Sequence, residues 1–239
     1  MKFKGIVLRY ANYGEYDRML TIFSPQYGKI SAAARSCRKP GAKLISCVEQ
    51  FCYGEYAFSR RGERLLLTQC DLEESYYPLR NDLKTLAHAT YFLNLCEEFV
   101  VAGEGNPALF SLLLQAMTLY AYGKNGAETV SACFILKLLD LSGYRPALDG
   151  CPVCGEGLEA PVFDRTCGEV VCGACAHGDR LSMEAVMAMR RILSMEMVKL
   201  RKVRMQSALS REINNFLMKY ILRHIQRKFP SEQFIVEMM

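Results

Sequence analysis

The chain has 239 residues, 51% hydrophobic and 23% charged, with a formal net charge of +5. This is a globular balance, long enough for one large domain or two modest ones, each with its own core. No apolar run reaches the ~18 to 20 residues of a bilayer span, and Met1–Arg9 lacks a long apolar stretch and a cleavage site, so a soluble cytoplasmic protein without a membrane partner is expected.

The net charge is unevenly spread. Residues 1–78 carry 12 basic and 8 acidic side chains, 79–150 carry 5 and 7, 151–179 carry 1 and 5, and 180–239 carry 12 and 5. Two basic ends flank an acidic middle, the distribution of a protein that meets a polyanion.

The first 75 residues read as strands. Phe3 to Tyr10, Arg18 to Ser24, Lys29 to Ala34, Cys47 to Ser59 and Glu63 to Asp71 are rich in β-branched and aromatic residues, and turn-forming stretches such as Asn12-Tyr-Gly14 and Arg60-Arg-Gly62 separate them. Five short strands suit a small closed barrel, either an OB-fold or an SH3-like barrel. Between the third and fourth runs the most basic loop in the chain, Arg35-Ser-Cys-Arg38-Lys39-Pro40-Gly41-Ala-Lys43. Its Pro and Gly predict a mobile connector from which cations meet phosphates. Arg9, Arg18, Arg60, Arg61 and Arg64, interleaved with tyrosines, add the mixture that single-stranded nucleic acid binds. Core packing of those aromatics is the competing reading.

After Pro78 the apolar period becomes helical. Asn81 or Asp82 caps a helix to about Val101, a second runs from Pro107 to Tyr122, and a third from Glu128 to Ser142 before Gly143. Further on, Ser182 caps Met183 to Leu193, a short helical piece reaches Val203, and a last helix runs from about Leu209 to Lys228. That helix sets Lys219, Arg223 and Arg227 on one stripe.

Between these helical groups lie Cys151-Pro-Val-Cys154 and Cys172-Gly-Ala-Cys175, with seventeen residues between the pairs. Two such pairs 15 to 20 residues apart match one structural Zn²⁺ held by four thiolates, a closed site with no open catalytic position. Cys167 and His177 are nearby candidates to replace a ligand. The acidic surroundings suit a fold-holding or protein-contacting role and disfavour phosphate. Cys37, Cys47, Cys52, Cys70, Cys96, Cys133 and Cys167 have no repeating spacing and read as reduced thiols. No P-loop, nucleophile elbow, H-E-x-x-H or G-x-G-x-x-G occurs, so no enzyme is expected. A divalent ion at Asp71-Leu-Glu73-Glu74 competes with a solvated strand exit, the commoner case.

Together the elements predict an α+β multidomain protein, with a small barrel over 1–78 and a helical domain over 79–239 carrying a zinc finger at about 148–179. The ordered segments Gly5-Ile-Val-Leu-Arg9, Tyr13-Gly-Glu-Tyr-Asp-Arg18, Leu20-Thr-Ile-Phe-Ser24, Tyr27-Gly-Lys-Ile-Ser31, Ala34-Arg-Ser-Cys-Arg-Lys39, Tyr77-Pro-Leu-Arg-Asn-Asp82 and Leu141-Ser-Gly-Tyr-Arg-Pro146 resemble the RecO family of bacterial recombination mediators over nearly the whole length.

The resemblance implies an N-terminal OB-fold, a helical domain and, in many members, a four-cysteine zinc finger. It also implies binding of single- and double-stranded DNA, strand annealing, and help in loading RecA onto DNA coated by single-stranded-DNA-binding protein (SSB), commonly with RecR. Family DNA-binding positions carry over to Arg35, Arg38, Lys39 and Lys43, with Arg9 and Arg18 beside them. The family's pocket for the SSB tail lies in the helical domain. An apolar pocket rimmed by cations is therefore expected around Phe216, Lys219, Tyr220, Arg223 and Arg227. The same stripe read as a phosphate contact is the alternative. For the whole chain, the alternative is a zinc-containing protein–protein adaptor without intrinsic DNA binding.

Overall fold

A computed structural model describes residues 1–225. The chain divides into two compact units, Met1–Ala121 and a second that begins at Tyr122.

In the first unit, strands β1 (Lys2–Tyr13), β2 (Asp17–Ser24), β3 (Gly28–Ala34), β4 (Tyr53–Arg61) and β5 (Arg64–Glu74) close a barrel in the order β1-β2-β3-β5-β4. β1 pairs antiparallel with both β2 and β4, and the ring closes through a parallel pairing of β3 with β5 at Ala32–Leu65 and Ala33–Leu66. This strand order makes the barrel an OB-fold and removes the SH3-like alternative. Alternate residues turn inward, so Phe3, Val7, Leu20, Ile22, Ile30, Ala32, Tyr56, Phe58 and Leu67 form one core. The Tyr56 hydroxyl satisfies itself inside that core, donating to the carbonyls of Cys52 at 2.9 Å and Cys47 at 3.2 Å.

The fourth strand starts later than its sequence suggests. Ile45–Cys47 is a 3-10 turn, and Phe51 has φ +75°, a left-handed geometry that interrupts extended chain before Tyr53.

The same compact unit continues through α1 (Leu83–Phe99) and all but the last residue of α2 (Pro107–Tyr122). The Asp82 carboxylate caps α1 by accepting the Thr85 N–H at 2.7 Å, and Asn106 caps α2 through Leu109 N–H at 3.0 Å. Phe110 of α2 packs edge-on to Phe23 of the barrel, with ring centroids 5.2 Å apart. Gly28, at φ +64°, bridges to Ala102 between these helices. A Cβ there would collide with the carbonyl oxygens of Val101 and Glu104, so the contact requires glycine.

In the second unit, α3 (Ala127–Leu141) is buried from Thr129 through Leu139. Its Lys137 is no exception: the ammonium donates to Leu193 O at 2.6 Å, at the end of α4 (Met183–Ser194), where a cation meets the negative end of a helix. Burial pushes the pKa of Lys137 down. Ser182 caps α4 through Ala185 N–H at 3.1 Å. A 3-10 segment, Met197–Lys202, leads to α5 (Ser207–Ile225), which buries Ile213, Phe216, Leu217, Tyr220 and Ile221 along one face.

Between α3 and α4 the chain forms a small sheet absent from the sequence reading. Strands β6 (Val162–Asp164), β7 (Glu169–Val171) and β8 (Asp179–Arg180) lie in the order β7-β6-β8.

Candidate metal centre and nucleic-acid interface

The two cysteine pairs converge. The sulfurs of Cys151, Cys154, Cys172 and Cys175 all lie within 4.8 Å of one another, and Cys154 Sγ is 3.8 Å from Cys172 Sγ. A tetrahedral ion with Zn–S bonds of about 2.3 Å has S···S edges of about 3.8 Å, so the donor set and its spacing fit Zn²⁺. Each pair folds as the knuckle its sequence predicts. Gly155 N–H donates to Cys151 O at 2.9 Å with Gly155 at φ +79°, and Cys175 N–H donates to Cys172 O at 3.0 Å. Backbone N–H groups also face the sulfurs, Cys172 N–H lying 3.4 Å from Cys151 Sγ.

That contact favours a Cys151 thiolate and lowers its pKa to about 6, whereas hydrogen bonding to Cys172 pushes Cys175 up to about 12. Four thiolates this close repel one another, and a cation is what lets all four ionise together. Among the described residues neither Cys167 nor His177 belongs to the cluster. None of the eleven cysteines is in a disulfide.

On the barrel, the basic loop is more ordered than its composition suggests. Cys37 is buried beneath it, Ser36 N–H donates to Asp17 Oδ1 at 2.7 Å, and Arg38 N–H donates to Tyr16 O at 3.0 Å. These bonds fasten the loop to the turn between β1 and β2. Arg35, Arg38, Lys39 and Lys43 are all exposed. Lys39 Nζ stands 5.5 Å from the Tyr16 ring centroid, and nearby Tyr13 is 63% exposed. Fixed cations and an open aromatic face therefore share one region of the barrel.

Nearly the whole length of the chain matches known proteins of one kind. Residues 1–76 match the family described as Recombination protein O N terminal, and residues 80–233 match Recombination protein O C terminal. The chain belongs to the RecO family. It is 32% identical to "DNA repair protein RecO" of Alkaliphilus metalliredigens, covering 95% of this chain and 94% of the relative. The protein of the same name from Desulforamulus reducens is 33% identical, over 98% of this chain and 93% of the relative. A third, from Acetivibrio thermocellus, is 27% identical over 98% and 96%.

Two cations assigned to DNA in this RecO-family barrel are committed elsewhere. Arg18 is buried, its Nη1 donating to Glu49 Oε1 at 2.7 Å and to Val48 O at 3.3 Å, with the guanidinium 3.9 Å from the Tyr10 ring centroid. Its charge is engaged inside the barrel by these partners. The signal was present: Arg18, Leu20 and Ile22 alternate onto the same inward face of β2. Arg9 is exposed but ion-paired with Glu97 of α1 at 2.6 Å.

The α5 residues also differ from expectation. Phe216 and Tyr220 are buried, both against Phe163 of β6 at centroid distances of 5.3 and 6.1 Å. They follow the apolar i, i+3, i+4 stripe of Ile213 and Leu217, which is a core signature. Lys219 pairs with Asp179 of β8 at 3.1 Å, and Arg223 donates to Thr166 O at 2.8 Å. This stripe therefore seats the cysteine-bearing segment on α5. Arg227 lies outside the described residues.

Beside the stripe is a cavity of about 230 Å³ with an apolar lining of Phe163, Leu181 and Phe216. Lys219, Asn215 and Arg180 also line it. Its acids are occupied: Asp179 holds Arg165 and Lys219, and Glu212 accepts both Ser182 N–H and hydroxyl. Arg180 is exposed and has no ion pair among the described residues. It is a pocket residue that sequence reading missed, because a two-residue strand gives no period to read. No helix among the described residues is long and apolar enough to cross a membrane.

Proposed function

We propose that this protein binds single-stranded DNA through Arg35, Arg38, Lys39 and Lys43, anneals complementary strands, and helps load RecA onto SSB-coated DNA in recombinational repair. On this reading it works with RecR, in the bacterial cytoplasm at the nucleoid, and catalyses no bond change. The observation that carries it is the group of exposed cations fastened beside Tyr13 and Tyr16 on a closed OB barrel. The ion at Cys151, Cys154, Cys172 and Cys175 is Zn²⁺, and its chemistry there is structural. It ties two distant knuckles together and leaves no position for substrate.

The SSB tail, short and acidic with an apolar C-terminal residue, docks in the cavity at Phe163, Leu181 and Phe216. Arg180 and Lys219 meet its carboxylates. On this reading Phe216 and Lys219 line the tail's site, while Tyr220 and Arg223 serve by holding the pocket's wall.

The test is fluorescence anisotropy of a labelled dT oligomer at graded salt, with and without the tail peptide. Three or four phosphate contacts give a log–log slope of about −2 to −3, at ~0.7 per contact. A slope near zero, with the tail peptide still bound, would leave a protein–protein adaptor in its place.

A further inference from the structure

The second unit carries a group of cations that the barrel reading does not use. Positions 197–206, Met-Val-Lys-Leu-Arg-Lys-Val-Arg-Met-Gln, contain four basic residues and no acidic one. Leu200 is buried and anchors this 3-10 segment, while Lys199, Arg201, Lys202 and Arg204 are exposed. The segment is clasped from another part of the chain. Asn125 Nδ2 donates to Arg201 O at 3.2 Å and to Val203 O at 3.1 Å. Arg204 Nη1 donates to the same two carbonyls, at 3.0 and 2.9 Å. These bonds fix the backbone of the segment and bring exposed Lys124, the neighbour of Asn125, to it.

Counter-charge is scarce. Lys199 reaches Glu196 at 3.3 Å, but Lys124, Arg201 and Lys202 have no ion pair among the described residues. Tyr122, two residues before Lys124, is 56% exposed. A fixed group of five cations with an aromatic side chain at its margin matches a polyanion that also carries stackable rings.

We infer that the surface formed by Lys124, Lys199, Arg201, Lys202 and Arg204 is a second binding site for single-stranded DNA, separate from the barrel loop, which receives the second strand during annealing. This rests on the DNA-binding reading of the barrel given above. Two strands held by one chain are concentrated relative to each other without any new contact between them.

The test uses the full-length protein saturated with an unlabelled dT oligomer. Capture of a second, labelled, non-complementary strand is followed by anisotropy, and annealing of complementary strands by energy transfer. R201A/K202A/R204A is expected to lower second-strand capture at least fivefold and slow annealing several-fold, with first-strand affinity changed less than twofold. Asn125→Ala removes no charge, yet is expected to lower capture two- to threefold by releasing the segment.

A triple variant that captures and anneals like the wild type, with an unchanged melting temperature, would overturn the second site while leaving the barrel reading intact. Capture of duplex in preference to single strands would overturn the strand assignment. Absence of first-strand binding by the wild type would instead remove the reading on which the inference rests.

Discussion

The Arg18 guanidinium and the Glu49 carboxylate meet at 2.7 Å at the edge of the barrel core, the arginine side chain 9% exposed and the glutamate 38%. A charge this deep needs its partner, because solvent cannot replace it. Arg18→Ala also removes the cation from over Tyr10 and leaves Glu49 without its ion pair. It is expected to cost about 1 to 3 kcal/mol in urea unfolding. Single-stranded DNA affinity per folded molecule should be unchanged, since the Arg18 guanidinium is already engaged by Glu49 and Val48.

The loop triple Arg35→Ala, Arg38→Ala, Lys39→Ala makes the opposite prediction. All three side chains are exposed, and the fastenings at Ser36 and Cys37 remain, so stability should hardly move. The salt slope for a dT oligomer should fall by about two, at ~0.7 per lost contact. An unchanged slope in the same titration would place the DNA site off the barrel loop.

For the metal centre, metal analysis of protein purified without chelator should give one zinc per chain. Cys154→Ser should lower that content, and thermal melting should then show a second unit that unfolds earlier. Structural zinc contributes on the order of 10 kcal/mol to small modules at neutral pH, so one lost ligand is expected to be visible by calorimetry.

Asp179 makes a pH-dependent prediction. Hydrogen bonding to Arg165 and then to Lys219 holds its pKa below the usual carboxylate range. A folded pKa below the unfolded one means the stabilisation is fully present above about pH 4, the unfolded value, and is lost as pH falls through the folded value. Hydrogen exchange at neutral pH should show β6 and β8 opening faster in Asp179→Ala. That difference from wild type should shrink in acid.

The legible parts of this protein were those with local chemical signals. Asp82, Pro107 and Ser182 mark helix starts and occupy those places in the structure. The two knuckles were legible because thiol spacing is a short-range code. What escaped was set by tertiary contact. β6, β7 and β8 are two or three residues long, too short to carry a period, and pairing across the knuckles forms them. Arg18 and Tyr220 were assigned by residue type, although the alternation around one and the stripe around the other already pointed inward. The Asn125 clasp joins positions more than seventy residues apart, for which no local pattern exists.

A fragment ending at residue 78 should be less stable than one ending at 121. Without α2, Phe23 and Tyr53 lose Phe110, and without the 102–104 segment Gly28 loses its bridge. Calorimetry on the two fragments reads the difference directly. Equal melting temperatures would show that the strands alone suffice.

The parallel pairing of β3 with β5 also has a consequence for synthesis. β1, β2 and β3 are consecutive antiparallel neighbours, able to zip while the chain is still emerging from the ribosome. The ring closes only when Leu65 and Leu66 reach Ala32 and Ala33, and Phe110 covers Phe23 later still. For as long as some thirty residues take to be made, the nascent chain therefore presents an open sheet with an unpaired β3 edge. Slowed translation between codons 34 and 65 should lengthen that exposure, and with it the demand for chaperones.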